Sequence, residues 1–306
     1  MQNEKQVPFA RGKNGGNGRR IYWRRSLVFL MLPAIYSQWG VHAAPKNDDI
    51  TPSASVLSHA HSHNDYRQDR PLREALMRGF ASVEADVHLV GGELYLGHWM
   101  PQVSRSSTLL EAYLEPLNAL MTRQNGKVYG GYDGVFYLMI DVKTDSLATY
   151  KALRRLLLQY PVFQCNPHFQ VFISGNRAIY HILKDEEQVM ALDGRLPDLD
   201  KPVASAYMPV ISDNFRKYFK WRGKGPMPAS EMESLKIMTD KAHRQGKKLR
   251  FWSIPDQSNV WETLLNAGVD LINTNDLQGL QQFFSARGKP DLQEITNTTI
   301  LQTEAK

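Results

Sequence analysis

Eight short runs of β-forming residues alternate with helical stretches through most of this chain. They cover residues 56–63, 82–89, 136–143, 170–174, 189–193, 204–210, 249–254 and 269–273. Several, such as 136–140, are almost continuously apolar, which is typical of parallel strands covered by helices on both faces. Eight strands in this alternation predict a (β/α)8 TIM barrel, with a doubly wound open sheet as the alternative.

Polar side chains cluster where the predicted strands end. They include His63, Asn64, Asp65, Asp141, Lys143, Asp193, Ser212, Asp213, Asn275 and Asp276. Active sites of TIM barrels are built at the rim formed by the C-terminal ends of the strands, so this placement favours the barrel over the open sheet. We therefore expect a single α/β domain, the barrel, over residues 56–288, followed by a polar tail over 289–306.

The first 43 residues have the composition of a secretory signal. They contain seven Lys or Arg and one acid, then an apolar run over 27–32, and Val41-His42-Ala43 at the end. We predict cleavage near Ala43, a linker over 44–55, and a periplasmic or secreted location. An uncleaved anchor is the alternative, although the apolar run is shorter than the roughly 20 residues that span a bilayer. The Arg24-Arg25 pair resembles a twin-arginine signal, but the general export route fits better.

The net charge of +6 belongs entirely to this leader, since the remaining chain has 30 basic and 30 acidic residues. A balanced chain offers no positive field to phosphate backbones, so we expect no nucleic-acid partner. The basic patches at 217–224 and 241–250 are predicted to be solvated. A single cysteine, Cys165, excludes an internal disulfide, and no obligate protein partner is evident.

Two carboxylates in one predicted strand indicate a metal site. Glu84 and Asp86 are two residues apart and so point to the same face of the strand. Like charges side by side are costly unless a cation lies between them. Asp141, at the end of the next strand, would complete a set of three oxygen ligands for one divalent cation, Mg²⁺ or Ca²⁺ rather than zinc. The alternatives are an exposed acidic face or pairing with Arg or Lys.

Lys143 shares a strand face with Asp141, and it could hold an anionic oxygen of a substrate or form a salt bridge with Asp141 or Asp145. His63 and His98 are the candidate general acid and base, because imidazole titrates near neutrality and both lie beside the acidic residues. His61, on the same strand face as His63, could take its place.

These motifs resemble the superfamily of glycerophosphodiester phosphodiesterases and phosphatidylinositol phospholipase C-like proteins. The branch with a His-Ser-His-Asn-Asp-Tyr opening, which includes the fungal "altered inheritance of mitochondria" type proteins, is the most similar. The matching segments follow one another in the family's order: 63–65, 71–72, 84–87, 96–98, 141–143, 174–176, 251–253 and 268–270.

The resemblance implies a TIM barrel that cleaves phosphodiesters with one divalent cation. It implies catalytic roles for His63 and His98, and metal-ligand roles for Glu84, Asp86 and Asp141. Lys143 and Trp252 match substrate-binding positions of the family. Asn64 is a third predicted substrate contact, at the position where the family's glycerophosphodiesterases usually have Arg. Loss of that Arg removes a bidentate phosphate donor.

The sequence thus predicts an exported, metal-dependent phosphoric diester hydrolase acting on a small-molecule or lipid diester. Contact with a membrane surface is a further expectation. Two alternatives use the same barrel. One is a phospholipase D-like lyase, and the other is a non-catalytic barrel that binds a phosphorylated ligand or a glycan.

Overall fold

The computed structural model of the protein describes residues 50–101 and 105–287. Its strands are β1 (Leu57–Ser62), β2 (Phe80–Val90), β3 (Glu93–Leu96), β4 (Phe136–Val142), β5 (Phe169–Gly175), β6 (Ala191–Gly194), β7 (Val210–Asn214), β8 (Lys248–Trp252) and β9 (Leu271–Thr274). Its helices are α1 (Arg73–Met77), α2 (Glu115–Arg123), α3 (Ser146–Leu157), α4 (Ile179–Leu183), α5 (Phe215–Tyr218), α6 (Ala229–His243), α7 (Ser258–Asn266) and α8 (Leu277–Arg287). A π-helical turn, Leu110–Leu114, leads into α2.

Eight of the strands close into a parallel barrel. Around it, the order is β1, β2, β4, β5, β6, β7, β8 and β9, and β9 pairs again with β1. Closure leaves no edge strand among the eight, so the structure excludes the open sheet and confirms the predicted TIM barrel. Among the described residues, no helix is long and apolar enough to cross a membrane.

The interior of the barrel has an apolar floor and a polar upper layer. The floor contains Tyr137, Met139, Phe172, Ala191, Val210 and Leu271. Above it, toward the C-terminal ends of the strands, lies the side chain of Arg250, which contacts those of Glu84, Ser212 and Asn273. A second, larger apolar layer packs between the strands and the surrounding helices. The polar layer therefore opens only toward the rim where the strands end.

The extra strand β3 was not predicted. It pairs antiparallel with the part of β2 that extends past the barrel, after a turn in which Gly91 and Gly92 both have positive φ. The hairpin returns the chain to the rim, where the Gly97 amide donates to the Asp86 carbonyl at 3.1 Å. Through this return, the hairpin delivers His98 to the barrel mouth.

The strand predicted over 204–210 is wrong. This segment forms turns, with the Tyr207 amide donating to the Ala204 carbonyl at 3.1 Å, and β7 begins only at Val210. Pro209 explains the difference, because proline has no amide hydrogen for a central strand. The predicted signal peptide, the first half of the linker (44–49) and the tail 289–306 lie outside the described residues, so export stays a prediction.

Candidate active site

Neighbouring strands bring three carboxylates together at the rim. Asp86 on β2 and Asp141 on β4 are direct register partners, and Glu84 lies two residues below Asp86 on the same face. One ligand oxygen from each residue lies within 4.8 Å of those of the other two. Glu84 and Asp86 are buried, and Asp141 is partly buried. The three residues could therefore hold a single metal ion.

One oxygen of Asp86 collects three donors. Its Oδ2 accepts from His98 Nδ1 at 2.9 Å, from Tyr66 Oη at 3.0 Å and from Lys143 Nζ at 3.1 Å. Lys143 Nζ is also 3.1 Å from Asp141 Oδ2. Lys143, which was predicted to bind the substrate, therefore bridges the predicted metal ligands Asp86 and Asp141. The hydrogen bond from His98 to Asp86 orients the imidazole of His98.

The other oxygens of these two aspartates receive no hydrogen bond from the described part of the chain. Asp86 Oδ1 and Asp141 Oδ1 are buried and lack a hydrogen-bond partner among the described residues. Buried carboxylate oxygens are normally satisfied, so two unpartnered oxygens on neighbouring residues of the site are consistent with cation ligands. Gly175 makes room for one of them, because a Cβ at this position would lie 2.1 Å from Asp141 Oδ1. The residues present thus fit a divalent ion with oxygen ligands.

The electrostatics of Asp141 agree with this arrangement. Burial raises the pKa of Asp141 to about 6, against the lowering effect of Lys143 and with a further rise from Glu84 and Asp86. For Lys143, burial acts to lower the pKa, but the charges of Asp141 and Asp86 outweigh it and raise the pKa above its usual value. Lys143 is therefore a firmly charged group at the site.

Glu84 is held from the opposite side of the barrel. Its Oε2 accepts from Arg250 Nη2 on β8 at 2.7 Å and from His61 Nε2 at 3.2 Å. Burial alone would raise the pKa of Glu84, but the charge of Arg250 and the bond from His61 lower it to about 2. Burial and Arg250 together lower the pKa of His61 to about 3, so His61 is neutral.

The loop after β1 is anchored by a buried carboxylate. Asp65 accepts from Ser62 Oγ at 2.7 Å, from the Leu72 amide at 2.6 Å and from Tyr113 Oη at 2.8 Å. Burial raises its pKa. Asp65 therefore has a structural role, because its contacts fix the turn that places His63 and Asn64 at the rim.

His63 lies at the mouth and is held by two amides. Its Nδ1 donates to Asn275 Oδ1 at 3.0 Å. Asn64 Nδ2 lies 3.1 and 3.2 Å from the two ring nitrogens, and because Nδ1 uses its proton on Asn275, Nε2 is the acceptor. The Oδ1 atom of Asn64 lies 3.2 Å from Tyr66 Oη, whose single proton it shares with Asp86 Oδ2. His63 thereby connects, through Asn64 and Tyr66, to the carboxylate of Asp86.

His61 on β1 and His63, directly after that strand, have different environments. His61 is fully buried, with Nδ1 accepting from Ser82 Oγ at 2.7 Å and Nε2 on Glu84. It therefore lies below the site and cannot exchange roles with His63, contrary to our prediction. Trp252, the predicted substrate aromatic, is two residues beyond Arg250 on the same face of β8, at the rim, and is partly exposed.

Sequence reasoning missed Tyr66, Arg250 and the role of Asn275. Arg250 was assigned to a solvated basic patch, yet its side chain and that of Lys247 are buried. The alternation of side chains along β8 could have shown that Arg250 faces the barrel interior, since Arg250 and Trp252 occupy the same face and Trp252 was already placed at the mouth. No local pattern could have shown that Arg250 contacts Glu84.

Comparisons with known proteins agree with the fold and the motifs. Residues 48–160 match the AIM6-like phosphodiesterase domain, and residues 248–278 match the glycerophosphoryl diester phosphodiesterase family. The altered inheritance of mitochondria protein 6 of Eremothecium gossypii is 30% identical over 283 residues, which cover 76% of this chain and 71% of that protein. The chain belongs to the altered inheritance of mitochondria protein 6 family.

A second member of this family gives a similar match. The homologue from Arthroderma benhamiae is 28% identical over 265 residues, covering 73% of this chain and 83% of its own. A crystal structure of a glycerophosphodiester phosphodiesterase from Parabacteroides distasonis shares the fold, with a TM-score of 0.52 and 14% identity over 77% of this chain and all of that one. This protein is thus an altered inheritance of mitochondria protein 6 relative with a phosphodiesterase-like TIM barrel.

Proposed function

We propose that this protein is an exported phosphoric diester hydrolase that requires one divalent cation. The AIM6-like phosphodiesterase domain supports the reaction class. The observation that carries the proposal is the pair of buried, unpartnered oxygens, Asp86 Oδ1 and Asp141 Oδ1, beside a histidine bound to the same Asp86. An acidic cluster without such orphans would be explained by its Lys and Arg partners alone.

Glu84, Asp86 and Asp141 would hold the ion. An oxygen-only set suits Mg²⁺ or Ca²⁺ better than zinc. When bound, such an ion polarises the phosphoryl group and offsets negative charge on it.

The protein side chains supply the proton transfers. His98 donates its Nδ1 proton to Asp86, which leaves Nε2 free for a substrate. The Nδ1 atom of His63 is fixed by Asn275, and its Nε2 accepts from Asn64, a contact that a substrate would replace. One imidazole accepts the proton of the attacking hydroxyl, and the other protonates the departing oxygen. Lys143, next to Asp86 and Asp141, stabilises charge on the phosphoryl oxygens.

The charge of the site supports a diester as substrate. Three carboxylates face two cations, Lys143 and Arg250, so the cluster carries one net negative charge. A divalent ion changes this to one positive charge, which a phosphodiester monoanion neutralises. A phosphate monoester at neutral pH carries about 1.5 to 2 negative charges, so its complex with the site would keep a net negative charge.

Exposed apolar side chains at the rim support a lipid diester. Trp99 and Met100 follow His98, and Ile179 and Tyr180 begin α4 directly after the loop that follows β5. Trp and Tyr are the residues that favour the boundary between water and lipid. Flotation of the protein with phosphatidylcholine vesicles tests this contact. We expect co-flotation that Trp99→Ser with Tyr180→Ser abolishes, and a wild-type protein that stays unbound would contradict it.

The reaction itself is tested with bis(p-nitrophenyl) phosphate and with lysophospholipid or glycerophosphodiester substrates, in Mg²⁺, Ca²⁺, Mn²⁺ or EDTA. We expect metal-dependent release of an alcohol and a phosphomonoester, and phosphorus NMR identifies the phosphorus-containing product. A cyclic phosphate product would identify the lyase instead. Absence of turnover with every metal and diester, with retained ligand binding, would indicate a non-catalytic barrel.

A further inference from the structure

We propose that Arg250 is a positioning residue that keeps Glu84 a one-oxygen metal ligand and thereby selects Mg²⁺ over Ca²⁺. The inference rests on the proposed metal centre and adds the identity of its cation. It depends on how the described side chains occupy the carboxylate oxygens, and not on the acidic cluster alone.

Arg250 reaches Glu84 across the barrel and is itself immobilised. Its Nε and Nη2 atoms donate to Asn273 Oδ1 at 3.0 and 2.6 Å, and its Nη1 lies 3.4 Å from Ser212 Oγ. Its side chain is 3% exposed. With the guanidinium fixed in this way, the 2.7 Å bond from Nη2 to Glu84 Oε2 has one geometry.

His61 adds a second donor to the same oxygen. An ionised carboxylate only accepts hydrogen bonds, so His61 Nε2 must carry the proton toward Glu84 Oε2, and Nδ1 must accept from Ser82 Oγ. Both donors therefore bind Oε2. An ion that bound both oxygens of Glu84 would have to compete with Arg250, and Oε1 is left as the single ligand atom.

Asp86 and Asp141 show the same division. The Oδ2 atoms accept from Lys143, and that of Asp86 also accepts from His98 and Tyr66, while both Oδ1 atoms have no partner among the described residues. Each of the three carboxylates thus offers one oxygen. Mg²⁺ takes six ligands and binds carboxylates through single oxygens with several waters, whereas Ca²⁺ takes six to eight and readily uses both oxygens of a carboxylate.

The test is direct cation binding, which requires no substrate and no turnover. Isothermal titration calorimetry of the metal-free protein with MgCl₂ and CaCl₂ gives the ratio of the two dissociation constants for the wild type and for Arg250→Lys. Lysine keeps the charge but lacks the fork that binds Asn273 and Glu84 together. We expect the ratio to shift toward Ca²⁺ by about tenfold or more, which is about 1.4 kcal/mol.

Arg154→Lys is the matched control. Arg154 also binds a buried carboxylate, since its Nε and Nη2 donate to the two oxygens of Asp185 at 3.1 Å each, and it has no contact with the site among the described residues. We expect its ratio to equal that of the wild type. Should Arg250→Lys fail to fold by circular dichroism, Asn273→Ala removes the tether while Arg250 stays, and the same shift is expected.

Crystal structures with each ion provide the second readout. We expect Glu84 to bind through Oε1 alone in the wild type and through both oxygens with Ca²⁺ in Arg250→Lys. Binding of the ion by both oxygens of Glu84 in the wild type would refute the role of Arg250, and so would an unchanged ratio of the two dissociation constants in both variants. Neither result would contradict the metal centre itself. Absence of divalent binding by the wild type would instead refute the metal centre, and this inference with it.

Discussion

Replacing Asp141 with Asn should stabilise the metal-free protein at neutral pH. Asp141 is held next to Glu84 and Asp86 with its Oδ1 unpartnered, and burial raises its pKa from 3.8 to about 6. One pKa unit is about 1.4 kcal/mol, so keeping Asp141 ionised in the folded state costs about 3 kcal/mol. Asn keeps an oxygen for Lys143 and avoids that cost.

The effect should depend on pH with a defined sign. Because the folded-state pKa lies above the unfolded one, the folded wild type binds more protons between about pH 4 and 6. Its stability therefore falls as pH rises through this range and stays reduced above it. The Asp141→Asn variant lacks this titration, so we expect a gain of about 2 to 3 kcal/mol at pH 8 that vanishes near pH 4.

Urea denaturation in EDTA, followed by circular dichroism at the two pH values, measures this difference. Asp145→Asn is the control, because Asp145 lies in the loop directly after β4 and caps α3 by accepting from the Ala148 amide at 2.8 Å, a role that Asn also performs. We expect no gain at pH 8 for this variant. Mg²⁺ should remove the gain of Asp141→Asn, because it stabilises the wild type, by about 2.7 kcal/mol at 100 times its dissociation constant. At 1,000 times the dissociation constant the stabilisation is about 4.1 kcal/mol, and the order should reverse.

An Asp141→Asn variant less stable than the wild type at pH 8 in EDTA would refute the reasoning. It would mean that the contact with Lys143 outweighs burial and the repulsion from Glu84 and Asp86. An equal gain at pH 4 and pH 8 would also contradict it, since the cost would then have no connection with ionisation.

Replacing His63 or His98 with Ala should lower turnover of a diester by at least about 10²-fold. The urea midpoint should barely change, because both residues lie at the rim, and a large loss of stability would make them structural. His59→Ala is the control, since His59 is an exposed residue of β1 outside the site. Lys143→Met should strengthen cation binding in calorimetry, because a charge 3.1 Å from two ligands is removed, yet lower kcat by about 10²-fold. Weaker binding together with unchanged kcat would contradict its role. Asn275→Leu should lower kcat by about fivefold, since a neutral hydrogen bond contributes about 1 kcal/mol. Nitrogen-15 NMR should show a mixture of His63 tautomers in that variant, and a single unchanged tautomer would exclude orientation by Asn275.

The barrel could be predicted from the sequence because the patterns that indicate it are local. Near-continuous apolar strands separated by amphipathic helices specify parallel pairing, and parallel strands place their C-terminal ends on one rim. The same rules brought Glu84, Asp86, Asp141 and Lys143 to neighbouring positions on two strands, as the register of Asp86 with Asp141 shows. These inferences need only the side-chain period of a strand and the order of the elements.

Only the tertiary structure decided which charges meet. Arg250 is 166 residues from Glu84, and a strand's period shows that it points inward but not what it contacts. The period likewise assigned His61 and His63 to one face, whereas depth in the barrel separated a buried neutral group from one at the mouth. Contact across a closed barrel depends on the pairing of all eight strands. A local pattern could therefore place the carboxylates and Lys143, but not Arg250, the cation that occupies one oxygen of Glu84.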